Sequence, residues 1–274
     1  MARFIHLSDL HIHTRGKRKE NKNLVALRDF LIQHYAYAQE RPIVCITGDL
    51  VHGDITQATF DTQYIQAVEL LRPLVKTFKV LVAPGNHDYA KNGLEFYRPS
   101  YDFFNKHVLG GLLGIEGTNA ADPDDNPMYP MTHVTPDGVL FIILDSAIGN
   151  HTHSGRFARG KLGARQRDLL RDMLNTNKAQ GRPVVVMFHH HPFLRLDVTM
   201  LMDDGRGVMR ILHGKTDVLC FGHKHHSYEK YNDKGIGLVL QSRKSTKLYR
   251  GMLRFREVTV APGTVRAQTL SVPI

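Results

Sequence analysis

Five times along this chain a short run of aliphatic and β-branched residues stops at side chains able to hold a metal ion. Residues 3–8 deliver Asp9-Leu10-His11-Ile12-His13, 43–47 run into Gly48-Asp49, and 78–83 run through Pro84 into Gly85-Asn86-His87-Asp88. Residues 183–188 then end in His189-His190-His191-Pro192, and 217–221 in Gly222-His223-Lys224-His225-His226. An apolar run of this length, closed by turn residues, reads as a strand buried on both faces. Parallel strands of that kind gather their C-terminal ends at one sheet edge, where ligands bind. The chain is thus expected to be an α/β protein whose strand ends share a polar focus.

Between these strands the apolar periodicity turns helical. A helix is expected over about 23–39, with Leu24, Leu27, Leu31, His34, Tyr35 and Ala38 on one face. A second starts near Thr59 and is kinked or ended by Pro73. A third, after Asp88, carries Phe96, Tyr97, Tyr101, Phe104 and Val108, and a fourth covers about 164–179. The first three strands and two helices make a βαβαβ half. Further strands are expected near 131–135, 139–145, 227–231, 237–241, 251–260 and 264–270. The stretch 110–127 reads as a surface loop, since Asp122, Asp124 and Asp125 lack a fixed ligand spacing. The loop with His151 and His153 receives no role. No repeat, low-complexity tract or linker divides the chain, so one domain over 1–274 is expected.

The residue types at the strand ends define a chemistry. Asp9 and His11, as alternate residues of an extended segment, can grip one ion, and His13 is not needed as a third ligand. Asp49 is the natural bridge between two ions. Asn86 offers a neutral oxygen, His87 a nitrogen that binds metal or moves a proton, and Asp88 a carboxylate able to orient that His. One of the three consecutive histidines 189–191 is expected to be a ligand. His223 and His225 fall on one side of an extended loop, and Gly222 lets backbone and ion come close. Mixed nitrogen and oxygen ligation suits Mn, Fe or Zn. Two such ions lower the pKa of a shared water from about 15.7 toward neutrality, which supplies hydroxide at working pH. Protonation of the leaving alkoxide by His87 would add about 10²–10⁴-fold.

Formal net charge is +10, from 36 Lys and Arg against 26 Asp and Glu, which favours anionic partners. The two basic clusters, residues 15–19 and the group Arg243, Lys244, Lys247, Arg250, Arg254 and Arg256, read as solvated surface charge. Cys45 and Cys220 lie inside apolar strands and are expected to be free, buried thiols. The longest apolar run, residues 139–144, is too short to cross a bilayer, and the first residues lack a signal-peptide plan. A cytoplasmic location without a membrane partner is the expectation.

Asp9-x-His11, Gly48-Asp49, Gly85-Asn86-His87-Asp88, His190-x-Pro192 and Gly222-His223-x-His225, in this order, resemble the five blocks of the calcineurin-like metallophosphoesterases. The resemblance runs from Phe4 to the terminal strands. It implies a four-layer α/β/β/α sandwich and two metal ions, one held by Asp9, His11 and His225, the other by Asn86, His190 and His223, with Asp49 bridging. His87 would be the catalytic histidine and Asp88 its orienting partner. His190 is preferred because the family ligand stands two residues before the proline, with His189 the fallback.

Departures from subfamily patterns narrow the substrate. Leu50-Val51-His52-Gly53-Asp54 follows Asp49 where Ser/Thr protein phosphatases and dinucleoside tetraphosphatases carry Asp-Arg-Gly. The 49 residues after His225 are too few for the DNA-capping domain of the break-repair exonucleases. The chain most resembles the class III cyclic-nucleotide phosphodiesterases, which implies a small phosphodiester or nucleotide substrate. The alternatives are a DNA or RNA nuclease of the same family and a non-catalytic metal-binding module like the retromer subunit. Metal identity, natural substrate and oligomeric state are not legible in the sequence.

Overall fold

All five apolar runs form strands in the computed structural model, which describes residues 1–14, 18–53, 56–116, 126–148, 158–193, 197 and 199–274. The chain opens with β1 (Ala2–Leu7), α1 (Arg18–His34), β2 (Ile43–Thr47), α2 (Gln57–Thr77) and β3 (Val80–Ala83). β1, β2 and β3 are parallel neighbours, the expected βαβαβ half. Thr56 starts α2 through a capping box with Thr59. Pro73 does not end this helix. It removes one ladder donor, and the helix runs on to Thr77, where the Phe78 N–H closes on the Leu74 carbonyl at 2.8 Å.

The expected single helix after Asp88 is divided. Asn86–Tyr89 forms a one-turn helix, α3, followed by the ribbon β4 (Ala90–Lys91) and β5 (Glu95–Phe96), then α4 (Arg98–Phe103) and a π-helical segment, Phe104–Leu112. The cause is Asn92-Gly93, both at positive φ (51° and 73°), a hairpin signal that outweighs the apolar periodicity around it. Next come β6 (Met131–Val134), β7 (Leu140–Ile143), α5 (Gly163–Gln180), β8 (Val184–Met187), α6 (Gly205–Leu212) and β9 (Val218–Phe221). The chain ends with β10 (Tyr228–Asp233), β11 (Ile236–Gln241), β12 (Met252–Ala261) and β13 (Thr264–Pro273). Helix α6 is absent from the sequence expectation because Gly205 and Gly207 dilute its pattern.

Two mixed sheets result, in strand orders β13-β12-β1-β2-β3 and β10-β11-β9-β8-β7-β6. Period-two alternation explains how one strand serves two cores. Phe141, Ile143, Val185, Met187, Val218 and Cys220 join the apolar cluster that also holds β1–β3, α1 and α2. Their neighbours Leu140, Ile142, Val184, Val186, Leu219 and Phe221 belong to the cluster beneath α5 and α6. The order is therefore helices, sheet, sheet, helices, the expected α/β/β/α sandwich. Both cysteines are buried free thiols. No described helix is long and apolar enough to cross a membrane. Residues 117–125 of the expected surface loop, together with His151 and His153, lie outside the described residues.

Candidate metal centre

The segments leaving β1 and β2 run side by side. Asp9 N–H donates to the Gly48 carbonyl (3.0 Å), His11 N–H to the Asp49 carbonyl (2.9 Å) and Ile12 N–H to the Leu50 carbonyl (2.8 Å). Neither Asp9–His11 nor His223–His225 is extended, contrary to expectation. Asp9 (φ 55°), His11 (47°), Asp49 (55°), His223 (75°) and His225 (53°) all adopt the left-handed region. They are five of the nine non-glycine residues with positive φ among those described. Such backbone costs about 1–3 kcal/mol per residue and concentrates where side chains must be aimed. Glycines make the room. A Cβ on Gly222 would stand 2.6 Å from Asp9 Oδ2, and one on Gly48, itself at φ 85°, would stand 2.7 Å from His189 Nδ1.

These turns deliver two groups of donor atoms. In the first, His11 Nε2 lies 3.0 Å from His225 Nε2, which lies 3.2 Å from Asp9 Oδ1. In the second, His189 Nε2 lies 3.1 Å from Asn86 Oδ1 and 3.2 Å from His223 Nδ1. Asp49 Oδ2 faces both, 3.6 Å from His11 Nε2 and 3.3 Å from His189 Nε2. The other Asp49 oxygen accepts the His87 N–H at 2.9 Å, which fixes the carboxylate between the groups.

The arrangement fits two cations. Ion–ligand bonds of about 2.0–2.2 Å place neighbouring donors about 3 Å apart around one ion. The second group makes the point atom by atom: His189 Nδ1–H donates to the Thr47 carbonyl (2.7 Å), and Asn86 Nδ2 donates to the Gly93 carbonyl (3.0 Å). That leaves the lone pairs of His189 Nε2 and Asn86 Oδ1 facing each other, as histidine ligands anchored through their second nitrogen do. Asp9 Oδ1 is buried with no hydrogen-bond donor of its own. The ligand atoms of Asp9, His11, Asp49 and His225 lie within 4.8 Å of one another.

Electrostatics agree. Burial opposes the charge on Asp9 and Asp49, yet neighbouring imidazoles pull both carboxyls well below the usual range. Burial lowers His11 to about 4 and His223 to about 3, so both nitrogens are lone-pair donors at neutral pH. For His189 burial is outweighed by Asp49, Asp9 and the Thr47 carbonyl, which raise it to about 9, so without a metal the ring carries a proton that a bound cation would displace.

Of the eight expected site residues, Asp9, His11, Asp49, Asn86, His87, His223 and His225 come together. His190 does not. Its Nδ1 lies 2.9 Å from Ser146 Oγ and its Nε2 is buried without a partner, while His189 occupies the place facing Asn86 and Asp49. The reason is the register of the strand exit. Phe188 N–H still pairs with Cys220 O, so the next residue is the one turned toward the other strand ends. Asp88 is also reassigned, because it does not touch the His87 ring. Its carboxylate accepts N–H groups from Gly85 (2.8 Å), Leu50 (2.9 Å) and Val51 (3.2 Å) and fastens the β2 and β3 exits together.

The His87 ring is positioned by a residue that the sequence reading left without a role: its Nδ1 lies 2.6 Å from the His52 carbonyl. The His52 ring stacks over His13 with centroids 4.1 Å apart. A Gly-Asp exit three residues upstream was the available signal, but a backbone carbonyl has no signature in side-chain chemistry. His87, Asn86, His223 and His225 open onto a cleft of 280 Å³ whose far wall includes Leu94 and Met200.

Comparisons with known proteins identify the family and the fold. A family model described as calcineurin-like phosphoesterase matches residues 2–227. A 3',5'-cyclic adenosine monophosphate phosphodiesterase, CpdA, from Haemophilus influenzae is 30% identical over 142 residues, which span 52% of this chain and only 39% of that relative. Among solved structures, a dimetal phosphatase from Danio rerio superimposes with a TM-score of 0.70 at 16% identity, covering 99% of this chain and 98% of the other. A sulfate thiohydrolase, SoxB, from Thermus thermophilus gives 0.59 at 10% identity, covering 99% of this chain and 56% of the other. At such identities the structural likeness is one of fold.

Proposed function

The chain belongs to the calcineurin-like phosphoesterase family, and with it to the metal-dependent phosphoester hydrolases; from that premise we propose that it cleaves a small phosphodiester, a 3',5'-cyclic nucleotide foremost, at the cluster around Asp49. The observation that supports this reading is the single carboxylate oxygen, Asp49 Oδ2, facing His11 on one side and His189 on the other. Asp9, His11 and His225 would hold one ion, Asn86, His189 and His223 the second, and Asp49 both. His189 takes the role expected of His190. Mixed imidazole and carboxylate ligation suits Mn, Fe or Zn. Two such cations, when bound, lower the pKa of a water between them and withdraw charge from phosphoryl oxygens.

The chain's own residues supply the rest. His87 donates Nδ1–H to the His52 carbonyl, which leaves Nε2 as the atom that carries a proton to the leaving alkoxide. Its backbone N–H meanwhile donates to the Asp49 carboxylate, which ties the proton donor to the metal-binding cluster. The cleft volume of 280 Å³ is close to the roughly 300 Å³ at which small-ligand pockets begin, and the Haemophilus relative acts on a cyclic nucleotide. Metal analysis with a turnover screen tests the reading. Two ions per chain and hydrolysis of 3',5'-cyclic AMP or bis(p-nitrophenyl) phosphate are expected. A protein that holds two ions and cleaves no diester overturns it.

A further inference from the structure

The basic group near the C-terminus, expected to be solvated surface charge, is in part gathered around one aromatic ring. Arg243 and Arg254 each place the guanidinium carbon 4.6 Å from the centre of the Tyr249 ring, and Arg250 places its own at 5.6 Å. An aromatic face attracts a cation, but three cations at one ring repel one another. Among the described residues neither Arg243 nor Arg254 has an ion-pair partner, and Arg254 Nε is buried with no acceptor. A buried guanidinium donor left unmet costs more than an ordinary hydrogen bond returns.

Arg243 and Arg254 line a small hollow beside the end of β11 and the first half of β12. Ser227, Ser242, Arg243, Arg254, Arg256 and Thr269 surround 80 Å³, far below the roughly 300 Å³ of a drug-sized pocket. Arg256 forms a fixed wall: Nε donates to Glu229 (2.9 Å), Nη1 to the Gln241 carbonyl (3.2 Å) and Nη2 to Ser227 Oγ (2.6 Å). Two arginines with spare donors, hydroxyl residues in the lining and room for little else match a tetrahedral oxyanion, since guanidinium forks bind phosphate through paired N–H groups. We propose that this hollow is a phosphate-binding site separate from the metal centre. It lies near that centre along the chain. Three residues after Ser242, Ser245 exchanges hydrogen bonds with Ser8, the neighbour of Asp9 (2.9 and 3.0 Å), and three residues span at most about 11 Å. The phosphate is either free in solution or an additional phosphate of a bound substrate.

Calorimetric titration of the metal-loaded protein with inorganic phosphate at constant ionic strength tests the site. The unaltered protein is expected to bind one equivalent more than Arg254→Gln, or to bind it about tenfold or more tightly, the loss of one charge-assisted contact. Arg243→Gln, in a loop, is expected to behave alike and guards against a folding defect in the strand variant. Isotherms of both variants that superimpose on the unaltered protein's overturn the proposal. The same comparison with pTpT and TpT, each carrying a methylphosphonate in place of its internal diester so that the metal centre cannot cleave it, separates the sources. An affinity advantage of pTpT abolished by Arg254→Gln places a substrate's terminal phosphate in the hollow. An advantage left intact, alongside lost inorganic phosphate binding, assigns it to free phosphate. All readouts are equilibrium binding, so an absence of hydrolysis would not imitate failure.

Discussion

His87 Nδ1 lies 2.6 Å from the backbone carbonyl of His52. A carbonyl can only accept, so the contact fixes which ring nitrogen faces the cleft, and it does so without any side chain. His87→Ala is therefore expected to keep both ions and to lose about 10²–10⁴-fold in kcat on diesters with alkoxide leaving groups, and much less on those releasing p-nitrophenolate, which needs no proton. The check is kcat across a leaving-group series beside metal content. An equal loss across the series would remove the proton-donor role.

His189 and His190 differ in what they face, so they should differ in what they hold. His189→Ala removes a donor 3.3 Å from Asp49 Oδ2 and is expected to yield protein with about one ion rather than two. His190→Ala removes a ring set against Ser146 and should retain both, with affinity weakened no more than the roughly 10–100-fold typical of supporting residues. Elemental analysis after dialysis distinguishes them. The reverse order of losses would restore His190 as the ligand.

The contrast shows what the sequence could reveal. Strand identity and most of the site were legible because apolar runs and metal-binding side chains leave a pattern in residue type. That Asp9, His11, Asp49, Asn86, His223 and His225 converge could be expected for that reason. What was not legible depends on backbone rotation. Three histidines in a row look alike until the pairing of Phe188 with Cys220 decides which one turns inward. Likewise, Asp9 and His11 converge through left-handed residues rather than by strand alternation, a conformation that residue type alone does not announce. His52 instead of Asp88 meets the His87 ring for a similar reason: partners made of backbone N–H and C=O are invisible in side-chain chemistry.

Asp88 holds three backbone N–H groups, and Asp88→Asn would turn an amide donor toward at least one of them. The expected cost is about 1–3 kcal/mol of stability, the price of a buried donor without an acceptor. Urea unfolding of the metal-free protein measures it. Because the carboxylate does not contact the His87 ring, the leaving-group dependence of kcat in this variant should match the unaltered protein. A profile resembling that of His87→Ala would return Asp88 to the orienting role.

His6 gives the fold an acid sensitivity that can be assigned to one residue. It lies on β1, fully buried, with Nε2 2.9 Å from Thr47 Oγ1. Burial, helped by Arg256, lowers its pKa from 6.5 to about 3. The unfolded chain therefore binds a proton between those values that the folded chain cannot, and stability rises with pH through the window and falls as pH drops from 6.5 toward 3. Between pH 7 and pH 5 the linkage amounts to about 2 kcal/mol. His6→Gln removes the titrating group, so its unfolding free energy should decline by about that much less over the same interval, whatever its stability at pH 7. Parallel urea titrations at the two pH values supply the comparison, and equal declines in the two proteins would show that His6 titrates normally in the fold.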